Sequence, residues 1–371
     1  MRTRLITLTV TVVLFSCLAV AAVGLLIAQQ AIRKQAIDQL TTLREMRAAA
    51  IEDYFAQMHA QVSTLSRSPF VVEAAQELTA AFKKTTSTKL TDQATLQLKT
   101  FYQEQFLPKI VIENERDAES KNNRDTLIKN WPATPQARHL QHAYLATNTY
   151  PLGQKDHLVD TEDAPEPYRT AHTRHHTTLR DIQQLFGFYD VFLIAPSDLS
   201  VVYSVFKETD YATSLTHGPH ANSGLAKAAR QTLALSDPHA TIATDFTPYT
   251  PSYDAPAAFL GSPIVDKQGN LIAALVVQAP ADRIDAVMTG RYRWRDMGLG
   301  ESGETYLVGP DSTMRSNSRF FLENPDRFFQ TLTSAGINAT FHRGIKRFNT
   351  TILQHTVDTS ASRDALAGHT H

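Results

Sequence analysis

The stretch that decides the fold is residues 189–206, which read YDVFLIAPSDLSVVYSVF. Two runs rich in β-branched and aromatic residues, 189–194 and 200–206, flank the segment APSD at 195–198. Runs of this composition are typical of strands, and proline, serine and aspartate between them are typical of a turn. The stretch therefore predicts two antiparallel strands joined by a short turn.

The same strand–turn–strand pattern recurs twice towards the C-terminus. The predicted pairs are 258–264 with 271–278, and 305–308 with 313–316. A short helix is predicted at 223–235, with Ser223 or Asn222 as N-cap, and another at 280–289. Hairpins separated by helices indicate an α+β fold built around antiparallel sheets.

Helical periodicity dominates the part of the chain before these hairpins. Residues 29–65 place apolar side chains three and four positions apart, and no glycine or proline interrupts them before Pro69. Helical patterning returns at 70–106 and at 166–186, where Gly187 is expected to end the helix. We expect long helices ahead of the first sheet.

One stripe of the 29–65 helix, formed by Ile51, Tyr54 and Met58, leaves two alternatives open. It could seat the same helix of a second copy, which would make the protein a homodimer. It could equally pack on the second helix of its own chain, and both arrangements are compatible.

An uncharged apolar run extends over residues 5–28. As a helix it would be about 36 Å long, enough to cross a hydrocarbon core of about 30 Å. Arg2 and Arg4 precede the run, so residues 1–4 are expected in the cytoplasm. This predicts a single-pass protein of the inner (cell) membrane whose C-terminal bulk is periplasmic or extracellular.

Two alternatives exist for the apolar run. Residues 19–21, AVA, resemble a signal-peptide cleavage site, although the run continues beyond the length of a usual signal peptide. Residues 14–17, LFSC, resemble a lipoprotein site, in which the bulky Phe15 fits poorly.

Composition excludes some classes of protein. The formal net charge of −1 argues against a nucleic-acid partner, because phosphate neutralisation needs a basic surface. Cys17 is the only cysteine and lies within the apolar run, so the exported part uses no disulfides. A chain of 371 residues is long enough for two or more packed modules.

Two motifs invite a chemical interpretation, and neither supports it. The spacing Gly298-x-Gly300-x-x-Gly303 matches a dinucleotide fingerprint, but a helix precedes it and a strand comes after it, the reverse of the required context. His172 and His176 share a helix face near His175, without a third ligand that the sequence would identify. We expect these histidines to be hydrogen-bonded against the first sheet; metal or pH sensing is the alternative.

No nucleophile elbow or phosphate loop occurs in the sequence, and no pair of carboxylates is singled out by spacing. We therefore predict no catalytic residue, no metal and no cofactor, and a protein that is not an enzyme.

Several segments resemble a known family. They are FGFYDVFLI at 186–194, VYSVFKE at 202–208, PYTPSY at 248–253, and GLGESGETYLVGPD at 298–311 with MRS at 314–316. They resemble bacterial transmembrane receptors with a double Cache (tandem PAS-like) sensor region, found in methyl-accepting chemotaxis proteins, sensor histidine kinases and membrane-bound nucleotide cyclases. The resemblance implies an extracytoplasmic helical region at 29–187, a first Cache module at 188–290 and the start of a second at 298–371.

The resemblance also implies a small-molecule site between the first sheet and the helix-loop layer on one face. In this sequence the corresponding residues are Tyr203, Phe206, Lys207, Asp210, Tyr211, Asp245, Tyr249 and Tyr253. Lys207 would pair with a ligand carboxylate, Asp210 or Asp245 with a ligand amine, and the tyrosines would form walls with polar tips. The alternative is that Phe206 and Tyr249 belong to the core and that Lys207 is a solvated charge.

The chain departs from the family pattern near its end. Such receptors usually continue through a complete second Cache module, a second span and an output domain, so we expect the given sequence to be a fragment or a truncated copy. We expect the residues after about Gly300 to be poorly ordered, since their strands lack neighbours. The predicted function is ligand sensing for a chemoreceptor-like signalling protein; the alternative is a membrane-anchored structural or protein-interaction subunit whose PAS-like module holds no ligand.

Overall fold

A computed structural model describes residues 2–85, 89–110, 119–337 and 339–369. Its helices are α1 (Arg2–Ser66), α2 (Pro69–Lys84), α3 (Asp92–Phe101), α4 (Leu107–Ile110), α5 (Glu119–Asn130), α6 (Pro135–Gln141), α7 (Tyr168–Phe186), α8 (Gly224–Leu233), α9 (Ala281–Met288), α10 (Arg319–Glu323), α11 (Pro325–Ser334), α12 (Ala339–Phe348) and α13 (Ser360–Leu366). Its strands are β1 (Asp190–Ile194), β2 (Val201–Ser204), β3 (Ile242–Ala243), β4 (Thr247–Tyr249), β5 (Ala255–Ala257), β6 (Phe259–Val265) and β7 (Leu271–Gln278).

Five strands form one antiparallel sheet in the order β2-β1-β7-β6-β3. The strands β4 and β5 pair separately as a small hairpin. The two predicted hairpins β1-β2 and β6-β7 lie side by side through the β1-β7 pair. The mixed α+β architecture is confirmed.

The five-stranded sheet is covered on both faces. Leu193, Leu260 and Leu275 belong to a core shared with α1, α2 and α7, whereas Phe192 and Val276 belong to a second core under α8. Every residue of β1 and β2 is consequently buried. Antiparallel sheets often leave one face in water, so two covering layers explain why these strands are apolar throughout.

Helix α1 runs without interruption from Arg2 to Ser66. The part of it that begins at Leu5 is long and apolar enough to cross a membrane, and the side chains of residues 5–28 are exposed. Farther along, Ile51, Met58 and Val62 are buried against the sheet. The stripe with Ile51 and Met58 therefore packs on its own chain, mainly against the sheet and not on the second helix alone, and the homodimer stays a prediction.

Local signals in the sequence set the ends of two helices. Gly187 ends α7 in the left-handed conformation, at φ 72°. The side chain of Ser223 caps α8 by accepting a hydrogen bond from the backbone N–H of Ala226. Both features are as predicted.

The prediction of a two-stranded hairpin at 305–316 is wrong in detail. The structure has isolated bridges there, from Val308 to Met314 and from Thr313 to Thr356, instead of two strands. Because the backbone around Met314 is shared between two neighbouring segments, neither pairing extends into a ladder. Helices α10–α13 make up much of the chain beyond this region. A second Cache module and poor order after Gly300 stay predictions.

Candidate functional site

The candidate site is built on the loop that comes after β2. Asp190 of β1 holds this loop in place: its Oδ1 accepts hydrogen bonds from the backbone N–H groups of Val191 (2.6 Å), Val205 (3.0 Å) and Phe206 (3.0 Å). Lys207 comes next with φ 56°, a left-handed conformation that lysine rarely adopts. The loop therefore directs Lys207 inwards, where its residue surface is only 1% exposed.

The ammonium group of Lys207 lies among aromatic rings. Its Nζ is 5.3 Å from the ring centre of Tyr203, 5.9 Å from that of Tyr144 and 6.0 Å from that of Tyr211. It also donates to the carbonyl oxygen of Val205 at 3.2 Å. Contacts between a cation and ring faces are strongest where water is excluded, so the rings partly replace the lost hydration.

His176 of α7 completes the surroundings of this ammonium. Its Nε2 donates to the carbonyl oxygen of Asp156 at 2.6 Å, which leaves Nδ1 to accept from the hydroxyl of Tyr203 at 2.7 Å and from Lys207 at 3.2 Å. Burial, and next the charge of Lys207, lower the pKa of His176. The imidazole is neutral as a result, and its tautomer is fixed by its partners.

Burial also changes the titration of Lys207. It lowers the pKa of the ammonium to about 7, against the opposing attraction of Asp190 and then Asp156. Near neutral pH the group therefore exists in both the charged and the neutral form. We call Lys207, Tyr144, Tyr203, Tyr211 and His176 the lysine cage.

One polar atom of the lysine cage and one next to it have no hydrogen-bond partner among the described residues. They are the hydroxyl of Tyr144 and Nε2 of His172, both of which are buried. Nδ1 of His172 donates to the carbonyl oxygen of Val159 at 3.0 Å, so Nε2 is a free acceptor. Buried polar atoms are nearly always satisfied, so these two atoms distinguish the surroundings of Lys207 from an ordinary core.

A cavity of about 160 Å³ adjoins the lysine cage. Its walls include Phe106, Lys155, Phe206, Lys207, Glu208 and Tyr253. It offers two ammonium groups and one carboxyl group within an aromatic enclosure. A polar molecule of a few heavy atoms fits a space of this size, since a water molecule occupies about 30 Å³ of liquid.

The two further titratable groups of the cavity are also perturbed by burial. Burial lowers the pKa of Lys155, whose Nζ donates to the carbonyl oxygen of Asn148 at 2.7 Å, to about 8. Burial, and next the charge of Asp210, raise the pKa of Glu208 to about 8. Ser252 donates to Oε2 of Glu208 at 2.6 Å. At neutral pH the cavity therefore presents a lysine cation and a largely protonated carboxyl group, a combination suited to a ligand with a carboxylate and a hydrogen-bond acceptor.

The structure divides the sequence-predicted site residues into groups. Tyr203, Lys207 and Tyr211 come together in the lysine cage, while Phe206 and Tyr253 line the adjoining cavity. The suggestion that Lys207 is a solvated charge is wrong, because the residue is buried.

The remaining three predicted residues lie elsewhere. Tyr249 donates its hydroxyl hydrogen to Oδ2 of Asp210 and packs its ring on Phe259, at a centroid distance of 5.1 Å, in the core under α8. Asp245 is exposed and forms a two-pronged ion pair with Arg315, at 2.8 and 2.9 Å. Tyr249 therefore belongs to the core, which was the alternative considered for it.

The three histidines of α7 are hydrogen-bonded, but only His176 bonds to the sheet as expected, because His175 bonds to α2 and His172 to the backbone of Val159. His176 contacts Tyr203 of the sheet, and His175 contacts Oε2 of Glu77 in α2 at 2.7 Å. The rings of His172 and His176 stack at 4.5 Å. In the part of the chain that the structure describes, no group of three or more His, Cys, Asp or Glu is placed to hold a metal ion.

Sequence reasoning missed Tyr144, Lys155 and Glu208 as site residues. The only sequence signal for Glu208 as a site residue was its position directly after Lys207 in the same loop. Tyr144 and Lys155 come from the helical region before the sheet, and no periodicity relates them to β2. Only the packing of that region against the sheet brings them to Lys207.

A comparison with protein-family models finds no match to this chain, and a comparison with curated proteins finds no significant match either.

Proposed function

We propose that this chain is the extracytoplasmic ligand-sensing region of a membrane-anchored bacterial receptor of the chemoreceptor-like type. Residues 5–28 cross the inner membrane, residues 1–4 are cytoplasmic, and the rest is periplasmic or extracellular. The resemblance to double Cache receptors supports this, as do the apolar run and the basic residues Arg2 and Arg4. A small molecule is the expected stimulus.

The observation that carries the proposal is the continuity of α1 between the candidate membrane span and the sheet. Near its C-terminal end, Ser66 donates to Ser262 of β6 at 2.9 Å, and His59 is 2.6 Å from the hydroxyl of Thr241. Farther down, Arg47 donates to the carbonyl oxygen of Val287 in α9 at 2.8 Å. A shift of the sheet against α1 would therefore move the helix that enters the membrane.

The lysine cage and its cavity are the proposed ligand site. A ligand that pairs with the ammonium of Lys207 or Lys155 would alter the packing of α7 on the sheet, because His176 of α7 contacts both Lys207 and Tyr203. A ligand shifts the equilibrium between two arrangements only if it binds them with different affinity. The conformational change would then pass from the ligand site to the membrane through α7, the sheet and α1.

A homodimer through α1 is part of this proposal. Between the membrane and the sheet, α1 exposes Ile32, Ile37, Leu40 and Met46, which are 67%, 50%, 51% and 61% exposed. Exposed apolar side chains on an isolated helix favour association with a second copy of that helix. The dimer would carry the signal as a relative displacement of two α1 helices.

One observation favours the alternative, a membrane-anchored structural or protein-interaction subunit that holds no ligand. The cavity beside the lysine cage, at about 160 Å³, is below the usual size of a ligand pocket, about 300–1,000 Å³.

A thermal-shift screen of the full chain in detergent decides between the two. Amino acids, small carboxylates and purines are tested, and the proposal expects at least one compound to raise the melting temperature. That shift should disappear in Lys155→Met, which removes one ammonium group of the cavity, and persist in Lys227→Met on the exposed face of α8. A screen without a stabilising compound, or a shift that Lys155→Met leaves intact, would favour the ligand-free subunit.

A further inference from the structure

A groove of about 780 Å³ lies between α1, the end of α7, and α9 with the segment directly after it. It is separate from the lysine cage, and its lining residues include none of those that line the cavity at Glu208. Its volume lies within the range of about 300–1,000 Å³ that is usual for organic ligands. We call it the arginine groove because Arg47, Arg283, Arg291 and Arg293 line it.

The charges in the arginine groove are of one sign. No carboxylate is among its described lining residues, although Asp282 is near enough to influence Tyr54 from outside. Within residues 2–85, 89–110, 119–337 and 339–369, neither an ion pair nor a side-chain hydrogen bond engages Arg283, Arg291 or Arg293. Several arginines elsewhere form ion pairs, as in the contact of Arg169 with Asp160 at 2.7 Å. Three unpaired guanidinium groups beside one groove create a positive potential that attracts anions.

Other polar atoms of the groove also lack partners. The hydroxyl of Tyr54 and Nε of Arg47 are buried atoms without a hydrogen bond in the described part of the chain. Arg47 is held in place by its Nη1, which donates to the carbonyl oxygen of Val287. The guanidinium of Arg283 lies over Gly187, where a Cβ atom would come within 3.1 Å of its Nη2. Arg47 and Arg283 are therefore positioned by their contacts with Val287 and Gly187, while Nε of Arg47 and the hydroxyl of Tyr54 keep a free hydrogen-bonding capacity within the described residues.

The remaining walls are apolar. Met58, Phe186, Phe188 and Val287 line the groove, and Leu185 at its rim is 81% exposed. A ligand that contacts both the arginines and the apolar side chains needs a negatively charged end and an apolar body. A forked guanidinium pairs with carboxylate and with phosphate alike, but a phosphate monoester offers several guanidinium groups more oxygens and up to two negative charges.

We propose that the arginine groove binds a free organic phosphate monoester, with its phosphate among the arginines and its apolar body on Phe186 and Met58. A phospholipid headgroup has the same chemistry, but Arg47 lies about 28 Å along α1 beyond residue 28, whereas the headgroup layer is only about 5–8 Å thick. Binding there would bridge α1 and α9, and the proposal does not depend on a ligand in the lysine cage.

Calorimetric titration of the full chain in zwitterionic nanodiscs tests this with three probes. Phenyl phosphate has both parts of the ligand, inorganic phosphate lacks the apolar body, and benzyl alcohol lacks the charge. We expect phenyl phosphate to bind at least about ten-fold more tightly than either of the others, since losing one good contact usually costs about that factor. Equal affinities for the two phosphates, or no measurable binding of phenyl phosphate, would overturn the proposal.

Variants then assign the site. Arg283→Gln and Arg291→Gln should each weaken phenyl phosphate binding by about five-fold or more, and the control Arg295→Gln, in the same segment but outside the lining, by less than about two-fold. An equal effect of all three would indicate attraction to overall charge and would overturn the site. Competition by phosphatidic acid added to the nanodiscs would assign the groove to lipid headgroups and would refute a free ligand.

Discussion

Replacing Lys207 by methionine is the most direct test of the lysine cage. The substitution keeps an unbranched side chain of similar length and removes the ammonium that three tyrosine rings surround. It also removes the hydrogen bond that Lys207 donates to Nδ1 of His176, although His176 still accepts one from the hydroxyl of Tyr203. Its effect on stability should therefore depend on pH in a way set by the titration of Lys207.

The sign and the size of this pH dependence are set by the pKa of Lys207 in the folded chain and in the unfolded chain. In the folded chain the pKa of Lys207 is lowered to about 7, and in the unfolded chain it returns to 10.5. Between these values the unfolded chain binds the proton more tightly, so the free energy of unfolding rises with pH. From pH 7.5 to 9.5 this group contributes a rise of about 2–3 kcal/mol, at about 1.4 kcal/mol per unit. Below the folded pKa the full cost of burying the charge is present.

Urea unfolding of the full chain in detergent, followed by tryptophan fluorescence, measures the effect. The free energy of wild type minus that of Lys207→Met is expected to increase by about 2–3 kcal/mol between pH 7.5 and 9.5. The matched control is Lys227→Met on the exposed face of α8, for which the difference should stay constant. A difference for Lys207→Met that does not change over this range would show that the ammonium is not desolvated, and would refute the lysine cage.

Three further predictions concern the framework of the site. Asp190→Ala is expected to lower the free energy of unfolding by about 2–4 kcal/mol, because three backbone N–H groups lose their acceptor, whereas Asp190→Asn should cost less than half as much. Equal losses in urea unfolding would contradict this role. Gly261→Val should cost about 1–3 kcal/mol, since its Cβ would meet the hydroxyl of Thr232 in α8. The double variant with Thr232→Ala should recover part of that loss, and no recovery would mean that α8 does not pack there. Ser223→Ala should cost about 1 kcal/mol as the loss of an N-cap, measured as a lower melting temperature than that of the exposed control Ser236→Ala.

Local sequence patterns predicted much of the fold. The runs on either side of residues 195–198 and of 266–270 became the two hairpins of the main sheet, and Gly187 and Ser223 became helix caps. Such features depend on side chains within a few residues of each other, so they can be predicted from a single sequence without knowledge of the tertiary structure. The strand pairing predicted around Met314 was wrong because the backbone of Met314 bonds to a segment some forty positions later, around His355.

The candidate site was predictable only in part. The resemblance to Cache modules selected Lys207, but its surroundings could not be predicted. Whether a lysine in such a loop points to water or to the interior depends on one backbone angle and on the helices that cover the loop. Tyr144 and His176 belong to different segments of the helical region, so their approach to Lys207 is a product of packing.

By itself, the sequence determined the apolar run at 5–28, the continuous helix after it and the strands of the α+β core. These depend on composition and on periodicity, which act over short distances along the chain. The tertiary structure alone decided that Lys207 is buried among tyrosines, that Asp245 pairs with Arg315, and that unpaired arginines gather beside α1. Burial and charge pairing arise between segments far apart in sequence, and they become fixed only when helices and sheet pack together.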